Sequence, residues 1–131
     1  MPGAYSSGYS GAYGSGPSGV ITATPPSRIY VVTHGDEASC INKFQPKDPD
    51  AILDYGFDWS GWLAAGESIA SHEIIADNIE TDTGASLGGV VTVWTSGGQN
   101  LTTARITCRI TTDNIPARAD ERTALIRIRE R

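Results

Sequence analysis

The sequence has 131 residues, a net charge of −5, 39% hydrophobic residues and 8% aromatics. That is length for one small domain with or without a tail, and too little for a large catalytic scaffold. The acidic balance argues against a dedicated nucleic-acid binder, which carries a basic excess, and no run approaches the roughly 18 apolar residues of a membrane span.

Residues 1–27 contain no charged side chain. Gly3, Gly8, Gly11, Gly14, Gly16 and Gly19 are interspersed with serines and with Tyr5, Tyr9 and Tyr13. The spacing of the tyrosines would align them on a helix, but each glycine opposes a helix by roughly 1 kcal/mol relative to alanine. A Gly/Ser arm cannot bury enough apolar surface to offset its ordering entropy, so alone it is expected to be disordered. Tyrosines on such a backbone give large contact area for few lost rotamers, which suits docking onto a partner. Gly14, Gly16 and Gly19 spell a GxGxxG, but no strand precedes it, no helix opens after it and Pro17 interrupts it, so it is a chance match to a dinucleotide site. The N-terminus has neither a basic n-region nor an apolar h-region, and no secretory leader is expected.

Beyond the arm, turn residues separate short stretches rich in Val, Ile and Thr. Residues 28–33 read as a strand, 34–37 as a turn, and 38–50 as a linker in which Pro46 and Pro49 forbid a central strand. Leu53, Tyr55, Phe57 and Trp59 then alternate with Asp54, Gly56, Asp58 and Ser60, a period-2 pattern with one apolar face. Residues 62–66 turn the chain, 68–75 read as a strand, 78–83 as a weak one, and 90–95 as a strong one. After a turn at 96–100, residues 101–112 place Ala104, Ile106, Cys108 and Ile110 on one face. A loop at 113–120 leads to a last strand, 123–129, with Ala124, Ile126 and Ile128 facing inward. About seven short antiparallel strands with Gly/Pro/Asn turns predict an all-β, immunoglobulin-like β-sandwich over residues 46–131, preceded by a 28–45 strand and linker and the 1–27 arm. Trp59 and Trp94 are expected in its core, whereas Trp62, in a turn, is expected at the surface as an interface anchor. The strand over 123–129 is expected at a sheet edge, where a strand of another chain can add to it.

Candidate chemistry is sparse. His34 and His72 are far apart in sequence, with no H-x-x-H spacing, and joining them to Cys40 and Cys108 in a zinc site would need a fold that converges all four. Asp48, Asp50, Asp54 and Asp58 read as a solvated acidic stretch. Asp54 and Asp58, four residues apart on one strand, lie about 13 Å apart, too wide for a glycosidase carboxylate pair. Cys108 reads as a buried free thiol; a bridge from Cys40 to Cys108 or to another molecule is the alternative. No catalytic residue, metal site or cofactor site is assigned. Eleven of the fifteen acids lie in residues 36–82 and seven of the eight arginines in 105–131, an asymmetry that favours docking between unlike neighbours or self-association.

Several short motifs stand together: Lys47-Asp48-Pro49-Asp50; Leu53-Asp54-Tyr55 with Asp58-Trp59; Leu63 with Gly66-Glu67-Ser68-Ile69; Val93-Trp94-Thr95-Ser96-Gly97-Gly98; Arg109-Ile110-Thr111-Thr112; and Asp120-Glu121-Arg122. Over residues 46–131 this set resembles the fibre–tail adaptor proteins of tailed bacteriophages; residues 1–45 lie outside the resemblance. It implies a non-enzymatic virion protein, made in the bacterial cytoplasm, that joins tail or neck to fibres in several copies. Its implied partners are further copies of itself and the tail tube, the neck or portal-adaptor ring and the tail fibres, with no nucleic acid and no membrane. Tyr5, Tyr9, Tyr13, Trp62, Arg127 and Arg129 are the expected partner-binding residues. The alternative is a carbohydrate-binding or capsid and tail decoration module of sandwich type; a sugar-binding module would show a coplanar row of exposed aromatics.

Overall fold

The computed structural model of the chain describes residues 24–34 and 41–130. The arm tyrosines Tyr5, Tyr9 and Tyr13, and Cys40, lie outside them. Among the described residues nine strands form: β1 (Ile29–Val31), β2 (Ile41–Lys47), β3 (Leu53–Asp58), β4 (Ile69–Asp77), β5 (Glu80–Thr81), β6 (Ala85–Leu87), β7 (Val90–Ser96), β8 (Thr103–Thr112) and β9 (Ala119–Ile128). They make two sheets. One runs β1-β3-β7-β5, with β6 also paired to β7; the other runs β2-β9-β8-β4.

The chain is therefore all-β, as its composition indicates, but it has nine strands rather than about seven, and its sheets are mixed rather than antiparallel. β1 pairs parallel with β3 and β2 pairs parallel with β9. Both parallel strands come from the segment before the first regular alternation, and the strands beyond the expected seven are β2 and β6. Residues 41–47, within the stretch read as a linker, form β2 at a sheet edge. Its Pro46 falls at a register shift between Phe44 and Lys47, where a residue without an N–H is tolerated.

The sheets share one core. Tyr55, Phe57, Trp59, Val91 and Val93 from the first sheet join Ala104, Ile106, Cys108, Ile110, Ala124, Ile126 and Ile128 from the second, together with Tyr30, Val32, Trp62 and Ile79. Inward positions follow the period-2 pattern along β3, β8 and β9, the side-chain alternation of a pleated strand. Rings cross the gap: Phe44 on β2 lies 5.1 Å from Tyr55 on β3, centroid to centroid. β1 belongs to this core through Tyr30, whose ring is 6.0 Å from Phe57.

Three expectations are corrected. Trp94 is 49% exposed and Trp62 only 6%, the reverse of the assignment made from sequence. Val91 and Val93 set the inward parity of β7, which turns Trp94 outward opposite Asp54. Trp62 is carried back under the sheet by a tight turn in which its N–H donates to the Trp59 carbonyl at 2.9 Å. Its ring meets Trp59 edge-on at 5.5 Å and stacks on His34 at 5.7 Å. Finally, β9 is an interior strand with β2 on one side and β8 on the other, so the edges of its sheet are β2 and β4.

Candidate assembly surface

The distinctive motifs gather into structural clamps at the ends of the strands. At one end stands Lys47, fully buried at the close of β2. Its ammonium donates to the carbonyls of Asp48 and Gly97, each at 2.9 Å. Burial pulls its pKa below the ordinary lysine value, against the raising influence of Asp48 and Asp50. The Asp48 carboxylate accepts from the Asp50 N–H at 2.8 Å, the local turn that the Asp-Pro-Asp sequence favours. Gly97 and Gly98 lie at positive φ, 73° and 98°. A Cβ on Gly98 would stand 2.7 Å from the Ile128 Cδ1, so glycine is needed there for backbone and packing alike. The Arg129 N–H closes the clamp on the Lys47 carbonyl at 2.8 Å.

At another clamp, Glu67 turns back onto the Ala64 N–H at 2.9 Å and faces the Arg118 Nε at 3.5 Å. The Ala64 N–H holds its carboxyl below the usual value against a desolvation that raises it, with help from the Thr112 hydroxyl and Arg118. The neighbouring Ser68 N–H donates to Asp113 at 2.9 Å, and the Thr112 hydroxyl accepts from the Arg118 N–H at 3.0 Å. The Gly-Glu-Ser turn and the Thr-Thr end of β8 are thus fastened to one another.

The third clamp is Arg122, the last residue of the Asp-Glu-Arg motif. It is 1% exposed on the inner face of β9, paired to Asp120 at 2.9 Å and placed 5.6 Å over the Trp59 ring, a cation–π arrangement strengthened by desolvation. Sequence reasoning missed it because a charged residue is exposed by default; its inward parity with Ala124 and Ile126 was the available signal.

Asp54 also departs from the solvated-face reading. It is 8% exposed and binds Arg28, whose Nη2 reaches Oδ1 at 3.1 Å and whose Nε reaches the Asp54 carbonyl at 2.9 Å. The Thr24 hydroxyl donates to its other oxygen. Burial raises the carboxyl, but the hydrogen bonds from Thr24 and Arg28 outweigh it and hold it below the ordinary value. Asp58 accepts from the Ser60 N–H at 3.0 Å, a turn role.

Cys108 is a free, buried thiol. Burial pushes its pKa up to about 12 against a hydrogen bond with Trp59, which leaves it unreactive. His72 Nε2 contacts the Thr83 carbonyl at 3.0 Å. Among the described residues no group of three His, Cys, Asp or Glu side chains is placed to hold a metal.

What remains is surface. Arg127 and Arg129 are exposed. On the outer face of the second sheet, Lys43, Leu125 and Arg105 stand in lateral register across β2, β9 and β8, with Arg127 further along β9. On the outer face of the first sheet lie Trp94, 49% exposed, and close by Ile52, 68% exposed, flanked by Glu80 and Asp82. Among the described residues the exposed large hydrophobic side chains include one aromatic, Trp94, rather than a row.

A search of curated proteins finds no match. Residues 47–127, more than half of the chain and the whole span from the Lys47 clamp to Arg127, match the family described as podophage GP4 fiber-tail adaptor protein gp77. The three clamps hold together the motifs by which that span resembles fibre–tail adaptors, and the chain belongs to this family of phage structural adaptors.

Proposed function

We propose that this protein is a non-enzymatic joint of the virion, present in several copies and linking tail or neck to the tail fibres. The observation that carries this reading is the family match over residues 47–127. The structure supports it through what the distinctive residues do: Lys47, Glu67, Gly98 and Arg122 brace strand ends rather than line a reaction site. A rigid, braced body is what a mechanical connection needs.

Self-association is supported by the opposed faces. The outer face of the second sheet carries Lys43, Arg105 and Arg127, with Asp77 as the cross-strand partner of Arg105, and the first sheet carries the acidic rim of Glu80 and Asp82. Unlike faces on one molecule fit head-to-tail contacts that close into a ring, with charge steering the encounter. Arg127 and Arg129 are then contact residues between neighbours, and Tyr5, Tyr9 and Tyr13 reach a further virion protein.

The test is an add-back assay. Particles made without this protein should carry tails lacking fibres, and purified protein added to that lysate should restore fibre attachment. Fibred, infectious particles formed without it would overturn the reading.

A further inference from the structure

The exposed apolar patch on the outer face of the first sheet has an occupant within reach. Asp54 and Trp94 are direct cross-strand partners on that face. The Trp94 N–H and carbonyl both engage Asp82 rather than β3, at 3.1 Å each. The Asp54–Trp94 pair is therefore the non-hydrogen-bonded type, whose side chains stand closest, with Cα atoms about 4.5 Å apart. Beside Trp94 a shallow groove of about 320 Å³ runs between Ile52, Glu80, Asp82 and Thr95.

The described chain begins at Thr24, and its hydroxyl is bound to the carboxylate of that same Asp54. The first described residue thus stands beside the patch. The nearest large apolar residues upstream are Val20 and Ile21, and three extended residues span about 10 Å, enough to bring Ile21 from Thr24 onto the Trp94 ring. The arm is also uncharged over residues 1–27, so the acidic rim of Glu80 and Asp82 does not repel it. Asp54 is already neutralised by Arg28.

We propose that Val20 and Ile21 of the arm seat on Trp94 and Ile52 of their own chain. A tethered segment this close acts at an effective concentration in the millimolar range, so a small apolar contact suffices to hold it. The seat fixes the point from which Tyr5, Tyr9 and Tyr13 depart. This inference concerns the extension that precedes the family match, and it does not depend on the adaptor reading.

The test is methyl and indole NMR of the full-length chain, wild type and Trp94→Leu. The Trp94 side chain is at the surface, so the variant keeps its fold, checked by unchanged methyl signals of Ile106 and Ile126. The expected result is an upfield ring-current shift of at least one Val20 or Ile21 methyl, independent of protein concentration, with cross-relaxation to the Trp94 indole. That shift is lost in Trp94→Leu. Methyl positions of an unstructured peptide, unmoved by Trp94→Leu, would overturn the proposal. So would a shift that grows with concentration and shows contacts only between differently labelled chains, since the occupant would then be a second copy.

Discussion

The ammonium of Lys47 donates to the carbonyl oxygen of Gly97 at 2.9 Å, across a separation of fifty residues. It joins the Lys-Asp-Pro-Asp turn to the Ser-Gly-Gly turn, two motifs that look unrelated along the chain. Replacing Lys47 by Met takes this donor from the Gly97 carbonyl, at about 1–3 kcal/mol for an unsatisfied group, whereas the Asp48 carbonyl keeps the Ala51 N–H at 3.0 Å. Relief from burying an ammonium offsets part of that. The expected net loss is about 1–2 kcal/mol, read as a lower denaturation midpoint at unchanged slope. Because burial lowers the lysine pKa in the folded state, the unfolded chain binds more protons between the folded value and 10.5. Stability of the wild type relative to Lys47→Met should therefore rise with pH through that window and level off above 10.5.

Gly97 and Gly98 separate backbone strain from packing. Gly97→Ala adds a Cβ whose nearest neighbour is the Glu80 Cγ at 3.7 Å, so it carries only the positive-φ cost, about 1–2 kcal/mol. Gly98→Ala adds the same cost plus collision with the fully buried Ile128, and should lose about 1–3 kcal/mol more. Thermal melts of the two variants check the order; equal losses would show that Ile128 yields freely.

Asp54→Asn tests the tie of the N-terminal segment. The folded carboxyl lies below its usual value of 3.8, so its stabilisation is fully present above that value and disappears as pH falls through the folded value. The Arg28 side chain is 26% exposed and that of Asp54 12%, and solvent screening reduces the pair's worth to about 1 kcal/mol at neutral pH. The variant should show that loss at neutral pH, none in strong acid, and faster amide exchange over residues 29–32.

Inward and outward parity on β8 and β9 can be read directly. Ile106→Asp or Ile126→Asp places an unpaired carboxylate where exposure is zero and should unfold the domain. Thr107→Asp and Arg127→Asp, one position along, should fold. Circular dichroism of the four proteins decides it.

Strands with strict alternation were legible in the sequence: Leu53–Asp58, Thr103–Thr112 and most of Ala119–Ile128. The strand at Ile41–Lys47 was not, because it turns Ile41 and Lys43 outward and polar Asn42 partly inward, leaving no apolar face to detect. Parallel pairing of β1 and β2 was invisible for a related reason: local alternation fixes which way side chains point, not which strand lies alongside. Trp94 was misplaced because the general tendency of tryptophan to be buried was weighed above the parity set by Val91 and Val93. Trp62 was misplaced in the opposite sense, because its turn folds it back onto Trp59. Arg122 was passed over, because its contact with Trp59 exists only once β9 has packed against the first sheet.

The most direct measurement is an electron cryomicroscopy map of the particle at the junction of tail and fibres. The account predicts the two-sheet domain there in several copies around the tail axis, each touching both a tail or neck protein and a fibre base. A map in which the fibres attach straight to the tail, with this protein elsewhere or missing from the particle, would contradict it.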